Sequence, residues 1–188
     1  MKIKAIFLLF VVLLLIAAPM NVATAYKAGN DKWFSVHIPV QVSYSSMPSG
    51  WHNAITKAMD SWSYAGANFS FENYSGAYLF YVNIKQGQLS DYETLATESG
   101  SHGILYSDGK RQKWGSNITV NSQRSFSTYG ASNTHDIESV ILHELGHSLC
   151  LGDINSPTTS VMYRSLSIEQ MKRVLTQDDI DGIKAIYG

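Results

Sequence analysis

The chain has 188 residues, 14 Lys and Arg against 15 Asp and Glu, a formal charge of −1 and a single cysteine. A near-neutral, slightly acidic balance argues against nucleic acid as a partner, and one cysteine excludes an intrachain disulfide. Stability must therefore come from an apolar core and from any bound metal, and the length left after an N-terminal leader suits a single domain.

Residues 1–25 read as a secretory signal: Lys2 and Lys4, an apolar run over 5–18, then Ala23-Thr24-Ala25 as a small-residue cleavage site. The alternative is an uncleaved anchor, but the run is shorter than the ~20 residues that span a bilayer, so no stable membrane anchor is expected. Residues 26–188 are then one secreted domain, expected to be a monomer. Val36, Ile38, Val40 and Val42 alternate with polar residues as in a half-buried strand, with Pro39 favouring an edge or bulge. Trp51, Ile55, Ala58, Met59, Trp62 and Ala65 recur at helical spacing, which predicts an amphipathic helix over 51–65.

Residues 68–72 and 77–84 are the next strand candidates, and strand, helix, strand, strand implies a mainly parallel sheet. Residues 86–100 read as loop or a weak helical turn. Short strands follow at 103–106 and 117–120, separated by a polar segment with Asp108-Gly109 as its turn. Residues 123–134 are polar and glycine-containing, hence a surface loop. A helix then opens with Thr134 as a cap and with Asp136 and Glu138 at its positive end, presenting Val140, Ile141, Leu142, Leu145 and Leu149 to the core. Thr176 with Asp178 and Asp179 starts a last helix whose apolar positions are Ile180, Ile183, Ile186 and Tyr187.

The chemistry concentrates in His143-Glu144-Leu145-Gly146-His147, followed by Ser148-Leu149-Cys150-Leu151-Gly152-Asp153. Histidines four apart on a helix share a face, so both imidazoles reach one metal with Glu144 beside it. Were the helix to continue, Asp153 would lie about 15 Å from His143 along the axis and on another face. A third ligand at Asp153 therefore requires the helix to stop and the chain to double back, which a glycine at positive φ normally does within a residue or two of the last turn.

This motif resembles the metzincin signature, most closely its matrixin (matrix metalloprotease) form. Ser160-Val161-Met162-Tyr163 looks like the Met-turn, and residues 175–183 with Tyr187-Gly188 look like the matrixin C-terminal helix. Residues 136–140 also resemble plant and prokaryotic matrixins. The resemblance implies an α+β metzincin (zincin-like) fold: a twisted, mostly parallel five-stranded sheet with one antiparallel edge strand, two long helices and a C-terminal helix. It implies one catalytic Zn2+ held by His143, His147 and Asp153, an open fourth position for water, and Glu144 as general base. Calcium is left open. Met162 would lie beneath the metal as an apolar base.

Gly103-Ile104-Leu105-Tyr106 resembles the matrixin edge strand that pairs with an extended substrate, making Leu105 and Tyr106 candidate substrate contacts, with Tyr163 on the wall of the specificity pocket. Two departures stand out. Asp153 occupies the usual third histidine position, as in snapalysin-like metzincins, and Cys150 occupies the usual glycine position. Because a cysteine tolerates positive φ poorly, the turn is either strained at Cys150 or made around Gly152. Cys150 is read as a small buried residue, with a metal thiolate or latency switch as the alternative. His37, His52, His102 and His135 do not match a structural zinc pattern and read as surface or loop histidines. The leading expectation is a secreted zinc endopeptidase acting on polypeptides; the rival is a catalytically silent module with the same fold.

Overall fold

The computed structural model describes residues 25–76, 79–105 and 109–188. The leader over 1–24, Ala77 and Tyr78 of an expected strand, Tyr106, and Asp108 of the expected turn lie outside the described residues.

The chain opens with two short strands, β1 (Lys27–Ala28) and β2 (Asp31–Trp33), then β3 (His37–Val42), whose Ile38 and Val40 are fully buried. Helix α1 (Trp51–Ser63) follows as its periodicity predicts, burying Trp51, Ala54, Ile55, Ala58, Met59 and Trp62 on one face. Next come β4 (Ser70–Asn73), β5 (Val82–Gly87), β6 (Ala96–Leu105) and β7 (Arg111–Asn121). A two-residue parallel pair, β8 (Phe126–Ser127) with β9 (His135–Asp136), leads into α2 (Ile137–Ser148). After β10 (Leu151–Gly152), which pairs antiparallel with β1, the chain ends in α3 (Gln177–Tyr187).

The main sheet runs β4-β3-β5-β7, all parallel, with β6 antiparallel along β7. β2 pairs with Arg111 to Lys113 of β7, residues that β6 also contacts, so β2 and β6 must occupy opposite edges of β7. Six strands thus share five positions, β2 continuing the line of β5, and the expected width and antiparallel edge are both present. Among the described residues β6 has no second strand partner, so its outer edge is open.

Two local readings need correction. Residues 86–100 are not loop throughout, because β6 begins at Ala96, and the polar stretch before Asn117 is the first half of β7. Both are half-exposed strands whose pairing is a long-range backbone interaction, which leaves a weak apolar pattern in the sequence.

The core lies between the sheet and the two long helices. Ile38, Val40, Val82, Ile84, Ile118 and Val120 meet Ile55 and Trp62 of α1 and Ile141, Leu142 and Leu145 of α2, all essentially inaccessible. Each such side chain contributes about 1.5–3 kcal/mol relative to exposure. The Trp62 indole also donates to the Leu142 carbonyl at 2.8 Å, fixing the register of α1 on α2. Helix α2 is buried on nearly every side, including Glu138, Ser139, Glu144 and Ser148, so it is a central rather than a surface helix.

Candidate metal centre and active site

Helix α2 starts at Asp136, not Thr134. Asp136 is extended at φ −80° and ψ 114°, and its carboxylate accepts from Ser139 N at 2.9 Å. Thr134 instead donates its hydroxyl to the Ala131 carbonyl at 2.6 Å, closing the preceding turn. Burial alone would raise the Asp136 pKa, but bonds from Arg173 and Ser139 outweigh it and hold the carboxyl below its ordinary value. Arg173 was not recognisable from sequence as a partner of this cap.

At the other end, α2 stops within one residue of Ser148. Cys150 takes φ +73° and its N–H turns back to the His147 carbonyl at 2.9 Å, so the reversal is made at Cys150 rather than Gly152. Neighbouring strands satisfy the exposed end of the helix. The Trp33 indole donates to Ser148 O at 2.7 Å, and the buried Lys113 ammonium donates to His147 O at 3.1 Å while pairing with Glu98 at 2.8 Å. No local pattern in the sequence marks Lys113 as buried.

The reversal carries Asp153 to the histidines. Its Oδ1 lies 3.3 Å from His143 Nε2 and 3.5 Å from His147 Nε2, and the three ligand atoms lie within 4.8 Å of one another. Tetrahedral zinc with ligands at about 2.0–2.2 Å separates its ligand atoms by roughly 3.3–3.5 Å, so the spacing suits that ion. Both rings are oriented from behind: His143 Nδ1 meets the Val161 carbonyl and His147 Nδ1 the Leu151 carbonyl, each at 2.8 Å. With Nδ1–H donating to a carbonyl, Nε2 presents its lone pair to the centre.

Electrostatics agree with a cation there. Burial pulls the His143 pKa down, but the bond to Asp153 overrides it and the net shift is upward. His147 is held below its ordinary value by burial and by His143, whereas Asp153 is lowered chiefly by its bond to His143. One proton serves one Nε2; a divalent metal serves both and the carboxylate together. Glu144 stands next to this cluster, its pKa pushed up to about 7 by burial, with Oε2 buried and without a hydrogen-bond partner.

Beneath the cluster, Met162 is buried and its sulfur lies so close to Gly146 that a Cβ there would sit 2.2 Å from it. The turn carrying Met162 is held by Asp179 of α3, which accepts from Ser160 Oγ at 2.5 Å, Val161 N at 3.0 Å and Met162 N at 3.2 Å. Thr176 and Asp179 form the capping box that starts α3. The box is legible in the sequence; the bridge to the turn that orients His143 is not.

A cleft of about 650 Å³ runs past the centre, lined by His143, Glu144, His147, Asp153, Tyr163 and the start of β6. Residues 94–98 border it, while the side chain of Leu105, like Tyr106, lies outside the described residues. The antiparallel edge strand is present as expected, and its start over 94–98 faces the cleft. Tyr163 lines the cleft. His135 also lines it and is buried, which corrects its reading as a surface histidine; His37 is exposed and pairs with Glu72 at 2.6 Å. His52 stacks on Tyr44 and His102 pairs with Asp31 at 3.2 Å. Cys150 lines a separate cleft with Lys27, Asp31 and Lys113, and burial pushes its thiol up to about 12. Cys150 is thus partly buried at the edge of the core rather than fully buried as expected, and it lies outside the ligand group.

Comparison with known sequences agrees with this arrangement. The chain is 46% identical over 57 residues to "Metalloendoproteinase 1" of Glycine max, covering 30% of this chain and 18% of that protein. It is 35% identical over 96 residues to "Metalloendoproteinase 5-MMP" of Arabidopsis thaliana, covering 50% and 25%. It is 27% identical over 173 residues to "Neutrophil collagenase" of Homo sapiens, covering 85% and 34%. The matched part is thus between 18% and 34% of these relatives' own lengths. A sequence model of the family described as Matrixin matches residues 33–188, most of the chain, and on that match together with the metal centre the chain belongs to the matrixin family of peptidases.

Proposed function

We propose that the protein is an exported, monomeric zinc endopeptidase that hydrolyses peptide bonds in polypeptides outside the cell. The observation that carries this reading is the convergence of His143, His147 and Asp153 on one point, with the buried, unpaired Glu144 carboxylate beside it. Export is supported by the basic, apolar and small-residue pattern of residues 1–25. No helix among the described residues is long and apolar enough to cross a membrane.

His143, His147 and Asp153 would hold the metal. Zinc bound there supplies a Lewis acid that polarises a peptide carbonyl and acidifies water. The chain's own residues do the rest. Val161 O and Leu151 O fix the imidazoles, and the open edge of β6 over 96–98 offers backbone groups to an extended peptide. Glu144, with a pKa near 7, accepts a proton from the attacking water and returns it to the departing amine. Its burial excludes the bulk water that would otherwise hold it as a weak, permanently ionised base.

Zinc analysis and cleavage of an unstructured protein such as casein, on wild type and Glu144→Ala, test this reading. One zinc per chain, with the rate falling by about two to four orders of magnitude in the variant, is the expected result. A chain with no zinc and no cleavage would be a silent module instead.

A further inference from the structure

His143 follows Ser139 by one helical turn on the cleft face of α2, and both line the cleft. At the Ser139 end, about 6 Å further along the helix than the metal ligand, the chain returns. Lys172 N donates to Ser139 Oγ at 2.7 Å, and Lys172 itself lines the cleft. Its ammonium donates to the Ser165 carbonyl at 3.2 Å and lies 4.5 Å from the centroid of the Tyr163 ring. The residue is only 9% exposed. An ammonium carries three donors, so at least one is left over.

No carboxylate among the described residues forms an ion pair with Lys172, which sets it apart from the other cations here. Arg124 pairs with Glu93 at 3.4 Å, Lys113 with Glu98 at 2.8 Å, and Arg173 with Asp136. Arg164 bonds only to Asn155 but is exposed to water. None of the lining carboxylates pairs with it: Asp91 is bonded to Thr94, Glu98 to Lys113 and Ser116, Asp153 belongs to the ligand cluster, and Glu144 stands unpaired beside that cluster. The field of Asp179 reaches Lys172 without pairing with it, that carboxylate being bonded to Ser160, Val161 and Met162; a buried cation without an ion-pair partner is costly, and a ligand carboxylate would relieve that cost.

Resting on the endopeptidase reading, we propose that Lys172 makes this cleft selective for substrates with Asp or Glu beside the scissile bond. The Lys172 backbone is anchored one helical turn from His143, and its side chain lines the same cleft as the metal ligands, which assigns the acid to a residue flanking the bond. Val140 and Leu166 line the same cleft and would pack on its methylene groups.

The test uses zinc-loaded protein and peptides identical except for Glu, Gln or Leu at each position flanking the bond. At one flanking position Glu should exceed Gln in kcat/KM by about 10- to 100-fold, the scale of a buried charge-assisted bond. In Lys172→Met that ratio should fall to about one, whereas Lys172→Arg keeps most of it. Equal or better cleavage of Gln and Leu peptides by wild type overturns the selectivity while leaving the protease reading intact. If no peptide is cleaved, binding to Glu144→Ala protein decides: tenfold tighter affinity for the Glu peptide upholds the acid site, and equal affinity overturns it.

Discussion

At Cys150 two requirements conflict. The chain must reverse there for Asp153 to return to the histidines, and φ +73° in a residue with a Cβ costs about 1–2 kcal/mol. Gly29 makes the opposite accommodation next door: its N–H donates to the Cys150 carbonyl at 2.8 Å, and a Cβ on Gly29 would lie 2.6 Å from that oxygen. The cysteine side chain recovers part of the cost by packing against the core at its edge. Comparing two substitutions separates strain from packing. Both Cys150→Gly and Cys150→Ala discard the thiol, but only glycine relaxes the backbone, so Cys150→Gly should be the more stable by about 1 kcal/mol in urea unfolding. At an unstrained site the order would reverse, and finding alanine the more stable would show that the turn is not strained.

The element that positions the site is α2, secured at both ends by groups distant in sequence. At its start, Asp136 is fully buried, caps Ser139 N and pairs with Arg173, which also donates to Thr128 O at 2.6 Å. Asp136→Asn should cost about 3 kcal/mol at pH 7, since it removes the buried carboxylate that Arg173 bonds and leaves it only the longer pair with Glu138 at 3.5 Å. The pH dependence has a definite sign. Because the folded-state pKa of Asp136 is lowered, its contribution is complete above the unfolded value of about 3.9 and fades as pH falls through the folded value. The stability gap between wild type and Asp136→Asn should therefore narrow below pH 4, and a gap that is constant from pH 7 to pH 3 would exclude the carboxylate charge as its origin. The same helix shows what a sequence reveals. His143, Glu144, His147 and Asp153 are legible because metal chemistry demands particular residue types at a fixed spacing. Helices α1 and α3 are legible from an apolar face and from the Thr176–Asp179 box. Arg173, Lys113 and Lys172 are not, because nothing local tells a buried lysine from a solvated one. β6 escapes for the related reason that Glu98, Ser99, Gly100 and Ser101 carry no apolar alternation.

Across the whole molecule, α2 and the C-terminal segment are joined twice around the metal centre. One connection is made by protein alone: Asp179 of α3 holds the Met162 turn, whose Val161 carbonyl orients His143. The other runs through Asp153 and would be completed by a metal, since Asp153 and the two histidines bring three electron-rich atoms together that a cation would bridge. Zinc should therefore stabilise the fold as well as equip it. At a free concentration 100 times its Kd the gain is about 2.7 kcal/mol, which for a domain of this size raises Tm by roughly 5–11 °C. Asp153 is more than half exposed, so Asp153→Ala should change the Tm of the zinc-free protein little and yet move the zinc titration to higher concentration. Cys150→Ala should titrate like wild type, its thiol lying outside the ligand group and held neutral by burial. If Asp153→Ala kept the full zinc response and Cys150→Ala lost it, the ligand set would have to be redrawn around the thiol, and the reversal at Cys150 would serve the metal directly instead of delivering Asp153 to it.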